Sequence, residues 1–323
     1  MSDAALMQHA TETIQVGSKS FAAAARLFDP ATRRSVLMLY AWCRHCDDVV
    51  DGQELGFNAA PSLTHDPARE LAVLEEMTRR AYAGERMADP AFAAFQEVAL
   101  QHAIAQRFAF DHLAGFGMDV GQARYETIED TLRYCYHVAG VVGLMMASIM
   151  GARDAAVLDR ACDLGIAFQL TNIARDIVED AAVGRCYVPA QWLREAGIPP
   201  HELGEPRHRA ALARVAARLV DYAEPYYASA THGIAALPLR SAWAIASARN
   251  VYRQIGIEVK RRGERAWDER AGTSRATKLR LLGKGGIDAL ISRVRRAPPR
   301  APGLWRRPDG AAAPRHAAHA TAA

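Results

Sequence analysis

At 323 residues, half of them hydrophobic and 24% charged, the chain has material for a large core and the balance of an ordinary globular protein. Its +4 charge hides an asymmetry: from Lys260 onward there are 16 Lys/Arg against 5 Asp/Glu, leaving 24 against 31 of the chain's 40 and 36 to the first 259 residues. Five cysteines without a disulfide spacing, an opening stretch without a basic-then-apolar leader, and no run of roughly 18–20 apolar residues argue against a disulfide scaffold and an integral membrane protein, and predict a cytoplasmic chain.

In chain order, apolar residues at helical spacing predict a helix from Thr32 to Asp51, stopped by Gly52. A loop with Gly56, Pro61 and Pro67 follows, then helices over 68–83 and 90–108 parted by Gly84. Residues 130–150 read as a helix ending at Gly151, buried over its apolar part 138–150, and 154–180 carry the longest uninterrupted helical pattern. Glycines and prolines make 181–207 a loop with room for one short helix. Helices resume over 208–231, where Pro225 predicts a kink or break, and over 238–262. With no alternating strand series, repeat or linker, the expectation is an all-α single domain over 1–296. Residues 297–323, rich in Pro, Ala and Arg, are expected to be a disordered tail.

Two acidic clusters carry the chemistry. In DDVVD, Asp47 and Asp51 stand at i and i+4 and share a helix face, while Asp48 points about 100° away. In NIARDIVED, Asn172, Asp176 and Asp180 continue one stripe, flanked by Arg175 and Glu179. Oxygen ligands on rigid helices suit Mg²⁺, which keeps water and substrate phosphate in its shell. An acidic i,i+4 pair is commonly solvated surface, but Val49, Val50, Ile173, Ile177 and Val178 make both helices core elements, and Arg44 and Arg175 accompany them. Cys43 and Cys46 form a CxxC without the second pair that zinc needs, so two packed thiols are the better reading. His45, His112 and His137 are read as structural. Neither a Walker A loop nor a strand-linked GxGxxG occurs, so no nucleotide fold is indicated, and no nucleic-acid partner is expected.

From about Ser18 to Arg270 the chain resembles the squalene/phytoene synthase family. The resemblance rests on YAWCR before DDVVD, on YCYHVAGVVG beginning at Tyr134, and on QLTNIARD…ED…RCYVP from Gln169 to Pro189. It implies an isoprenoid synthase-type helical bundle around a central cavity. Within it, Asp47 and Asp51 would bind Mg²⁺ or Mn²⁺ at one substrate's diphosphate, and Asn172, Asp176 and Asp180 at the other. Ser18, Ser20, Arg44, Arg175 and Tyr252 would contact diphosphate, and Tyr40, Arg44, Tyr134 and Arg175 would act at the reacting centre. Val138, Val142 and Gly143 would line a prenyl tunnel; the small-residue stripe Ala139, Gly140, Gly143 and Ala147 suits either that tunnel or close helix packing.

The implied reaction condenses two geranylgeranyl diphosphates through prephytoene diphosphate to phytoene, without NADPH. The alternatives are a C15 version acting on two farnesyl diphosphates and a non-catalytic membrane scaffold of the same fold. A lipid-soluble product and the basic C-terminal region, including Arg293, Arg295 and Arg296, suggest peripheral contact with the inner face of the membrane.

Overall fold

The computed structural model describes residues 3–54, 57–58 and 66–308, with the side chains of residues 3–5, 19–20, 53–54 and 57–58 outside that description. Its helices are α1 (Asp3–Gly17), α2 (Lys19–Ala25), α3 (Pro30–Asp51), α4 (Pro67–Tyr82), α5 (Pro90–Gln101), α6 (Gln106–Val120), α7 (Ile128–Cys135), α8 (Val141–Ile149), α9 (Ala155–Ala182), α10 (Ala190–Glu195), α11 (Arg209–Thr231), α12 (Leu239–Arg262) and α13 (Arg275–Ser292). A two-residue hairpin, β1 (Gln53–Glu54) with β2 (Phe57–Asn58), follows α3. The fold is otherwise helical, as expected.

Local chemistry explains many of the boundaries. Asp29, Asp66, Asp89 and Asp154 each cap a following helix by accepting backbone N–H bonds, and Pro sits in the first turn of α3, α4 and α5. Gly52 ends α3 in the left-handed region (φ 62°). The predicted helix 90–108 is two, because the chain turns at residues 102–105 with Ala103 at φ 48°. Pro225 does not break α11: Leu219, Val220, Ala223, Tyr226 and Tyr227 are buried on either side of it, and their packing outweighs one lost backbone bond. Helices α1, α2 and α13 escaped the sequence reading; α13 holds two adjacent glycines, and its strong contact is with α12.

Helix α9 is the axis of the bundle, packed against α11, α8 and α12. The predicted helix 130–150 is interrupted by a π-helical turn, Tyr136–Gly140, between α7 and α8. Ile128–Ile149 is long and apolar enough to cross a membrane, but most of it is buried within the bundle as a core helix. Where it crosses α9 the backbones nearly touch: a Cβ on Gly143 would lie 2.3 Å from the Ala161 carbonyl oxygen, and one on Gly165 2.2 Å from that of Ala139.

The expected disorder from residue 297 does not hold for 298–307. Arg300 donates to the fully buried Asp163 (2.6 and 2.9 Å), Arg307 to Asp159 (2.6 Å), and Leu304 is buried. Composition missed these anchors because they are ion pairs with partners more than 130 residues away. The remainder of the tail, 309–323, lies outside the described residues.

Candidate active site

One cavity of about 1130 Å³ runs through the bundle. One end is polar: Asp47 and Asp51 of α3 and Asn172, Asp176 and Asp180 of α9 all line it, so the two predicted motifs share one chamber. The helical spacing holds, since Asp48 turns away and is buried. The remainder of the wall is largely apolar, with Phe21, Leu39, Val142, Met146, Leu164 and Phe168 among its residues.

The four motif aspartates that line the cavity, beside Glu179, fall into two kinds. Asp51 and Asp176 are held by arginines. Arg185 grips Asp51 through two guanidinium nitrogens, one at 2.9 Å. Arg175 (2.7 and 2.5 Å) and Arg270 (3.2 and 3.0 Å) both donate to Asp176. Burial works to raise the Asp176 pKa, but those two guanidinium groups outweigh it and hold the carboxyl below its ordinary value. Asp47 and Asp180 are different. Burial lifts Asp47 to about 7, opposed by Arg44 at 3.0 Å and reinforced by Asp51. Burial, with Asp176 next, lifts Asp180 to about 7. These two carboxylates are short of positive charge.

Asn172 shows the same deficit. Its Nδ2 donates to Gln169 (3.2 Å), while its buried Oδ1 has no hydrogen-bond partner among the described residues. An orphaned acceptor and two under-compensated carboxylates fit divalent cations. No three acidic, His or Cys side chains among the described residues cluster into a ready-made metal site. The donors therefore fit an ion that completes its shell with water and phosphate oxygens.

The remaining expected residues lie on the same wall. Ser18 caps α2, accepting from the Phe21 amide at 3.2 Å, and also hydrogen-bonds Tyr252. Tyr252 is buried beside Arg175, and burial raises its pKa. Tyr40 lines the cavity one turn before Arg44, which bridges Asp47 and Asp48. Val138, Val142 and Gly143 line it too, and Gly143 also meets α9, so the small-residue stripe both borders the cavity and packs closely on a neighbouring helix. The side chain of Ser20 lies outside the described residues. The CxxC splits: Cys46 is fully buried, Cys43 faces the cavity, and both are free thiols. His112 is buried against Trp42 and Phe116 and borders the cavity, its Nε2 without a hydrogen-bond partner among the described residues.

Sequence reasoning missed four residues. Tyr134 (3.1 Å) and Tyr187 (3.0 Å) both donate their hydroxyls to Asp119, and their rings stack at 4.4 Å. Burial raises Asp119 to about 6, against the pull of Arg185 and the two phenols. No local pattern marks a lone aspartate in FGMDVG. Arg185 and Tyr187 lay within the RCYVP string that carried the resemblance, yet nothing there gave them a role. Arg270 reaches Asp176 from beyond α12, a contact only tertiary structure creates.

The family model described as squalene/phytoene synthase matches residues 14–280. A 15-cis-phytoene synthase from Pantoea ananas is 62% identical over 308 residues, covering 95% of this chain and all of that one. One from Enterobacter agglomerans is 63% identical over 296 residues, covering 91% of this chain and all of that one. A crystal structure of a dehydrosqualene synthase with bound ligand superposes with a TM-score of 0.78 at 28% identity, covering 90% of this chain and 98% of that one. A helical chamber with carboxylates and arginines at one end and an apolar channel behind fits the prenyl diphosphate synthases that this family match describes. The chain belongs to the squalene/phytoene synthase family.

Proposed function

We propose that this chain condenses two geranylgeranyl diphosphates to 15-cis-phytoene, the product that its relatives' names give for them. The observation that carries the reading is a single cavity in which two acidic helices face one polar end of an otherwise largely apolar channel. Its volume exceeds the roughly 300–1,000 Å³ typical of pockets for one drug-sized ligand, as two substrates require.

Asp47 and Asp51 would hold Mg²⁺ or Mn²⁺ at one diphosphate, and Asn172, Asp176 and Asp180 at the other. Such ions, when bound, supply Lewis-acid neutralisation of the leaving diphosphate. Arg44, Arg175, Arg185, Arg270 and Lys278 add fixed positive charge where the C–O bond breaks. The first departure leaves an allylic cation, which the double bond of the second substrate attacks; loss of a proton closes a cyclopropane. Loss of the second diphosphate drives rearrangement, and a second proton loss gives the product. As written this needs no reductant. Tyr40, Tyr134 and Tyr187 offer electron-rich ring surface to the cations, with Asp119 engaging two of the hydroxyls.

Incubation with C20 and C15 diphosphates and Mg²⁺, followed by product mass, tests this reading. A C40 hydrocarbon is expected, and exclusive use of C15 would refute the substrate assignment. Total absence of metal-dependent diphosphate release would instead favour a scaffold.

A peripheral membrane contact belongs to the same reading, supported by α13. Leu279, Ile287, Leu290 and Val294 are exposed along one face of that helix and its extension, beside exposed Arg295 and Arg296. Apolar and cationic groups together suit an anionic bilayer, where a hydrocarbon product can partition. Ile287→Glu with Leu290→Glu should reduce sedimentation with phosphatidylglycerol vesicles several-fold; unchanged binding would refute this face.

A further inference from the structure

The cavity runs a long way from its charged end. Along α9, Arg160 and Asp176 both line it, 16 residues apart, or about 24 Å at 1.5 Å per residue. Around Arg160 the wall is Val157, Ala161, Ala230, Gly233, Ile234 and Leu237. An arginine is an unexpected residue for the apolar end of such a channel.

Its hydrogen bonds explain how it is accommodated. The Arg160 guanidinium donates to the Ser229 carbonyl (3.0 Å) and to the Pro298 carbonyl (2.5 Å). The methylene stem packs at Gly233, where an added Cβ would meet Arg160 Cβ at 3.0 Å and Cδ at 3.6 Å. The charge is thus satisfied by backbone while the hydrocarbon part of the side chain fills space at the wall.

Residues 298–307 form a strap that braces this arrangement. Arg300 and the Ser229 hydroxyl (2.6 Å) together satisfy Asp163, which has no solvent contact. Arg307 pairs with Asp159, the backbone N–H of Trp305 donates to the Tyr226 hydroxyl (3.1 Å), and the Trp305 ring lies beside Tyr136. The strap therefore ties together α9, α11 and the π turn, three elements that wall the cavity. Detaching it would leave Asp163 buried without its cation, a costly state.

We propose that Arg160, held by the 298–307 strap, is the end wall of the prenyl cavity and limits the chain length the enzyme accepts. The inference rests on the reading that prenyl chains occupy this cavity with their diphosphates at the aspartates. Arg160 removes space at the terminal isoprene unit; Gly233 supplies the gap into which its stem fits.

Two substitutions should move selectivity in opposite directions. Arg160→Ala opens the wall, and the kcat/KM ratio for C25 over C20 diphosphate should rise by about tenfold or more. Gly233→Ala, at a backbone conformation any residue adopts (φ −83°), crowds the stem and should lower the C20 over C15 ratio by a similar factor. General destabilisation would not produce opposed shifts. If Arg160→Ala fails to fold, Gly233→Ala alone decides. C40 product from the wild-type chain with ratios unchanged in the folded variants would overturn the wall and leave the reaction standing. No C40 product from the wild-type chain would overturn both.

Discussion

Replacing Asp47 by Asn should stabilise the metal-free protein while crippling the enzyme. Burial raises the Asp47 carboxyl from 3.8 to about 7, so the folded state holds its proton more tightly than the unfolded chain does. Folded stability is then lost as pH rises from about 4 to about 7, and above that range the charged carboxylate carries the full cost. The shift of about three units would correspond to roughly 4 kcal/mol if the group were sealed from water. Its side chain is 37% exposed to the cavity, so solvent screening reduces that to about 1 kcal/mol. Arg44 keeps Asp48 as a partner after the change. At pH 8, chelator-treated Asp47→Asn should melt about 2 °C above wild type, an advantage that vanishes below about pH 4. Turnover with Mg²⁺ should fall more than tenfold, about 1.4 kcal/mol of barrier. A lower melting temperature than wild type at pH 8 would refute the charge-deficit argument; normal turnover would remove Asp47 from the metal shell.

Asp176→Asn should do the reverse to stability, lowering it by about 2 kcal/mol in the metal-free protein, because Arg175 loses its buried counter-charge. Arginine partners hold this pKa below 3.8, so the difference from wild type should be present above that pH and close as acid titrates the carboxylate, measurable by melting at pH 7 and 3. Turnover should also drop more than tenfold, and near-normal activity at saturating metal would exclude the role. Asp119→Leu strands two phenol hydroxyls and should cost about 2 kcal/mol, with kcat reduced more than KM; an unchanged kcat would make the contact purely structural. Gly165→Ala drives a Cβ into the Ala139 carbonyl and should cost about 3 kcal/mol or more in chemical denaturation, whereas the open Gly204 should tolerate alanine nearly unchanged.

Much of this was readable along the chain. The 3.6-residue period gave α3, α9, α11 and α12, and local residue chemistry sets the start of α3 and α9 through the Asp29 and Asp154 caps. It also gave the faces of both acidic motifs, since spacing along a helix fixes which side chains project together. Family wording supplied the expected partners around them. The π turn at Tyr136–Gly140 was invisible, because a five-residue hydrogen-bonding step leaves the local residue preferences looking helical. Helix α13 was missed because Gly283, Gly285 and Gly286 argue locally against the helix that docking on α12 sustains.

What the sequence determined by itself was an α-helical chain carrying two oxygen-ligand stripes suited to metal and diphosphate. Only the tertiary structure decided that both stripes face one chamber, which carboxylates arginines already hold, and which stay short of charge. Arg185 on Asp51, Arg270 on Asp176 and Arg300 on Asp163 join residues 134, 94 and 137 positions apart. Such pairs leave no periodic trace, because a guanidinium finds its carboxylate through the packing of helices rather than through spacing along the chain.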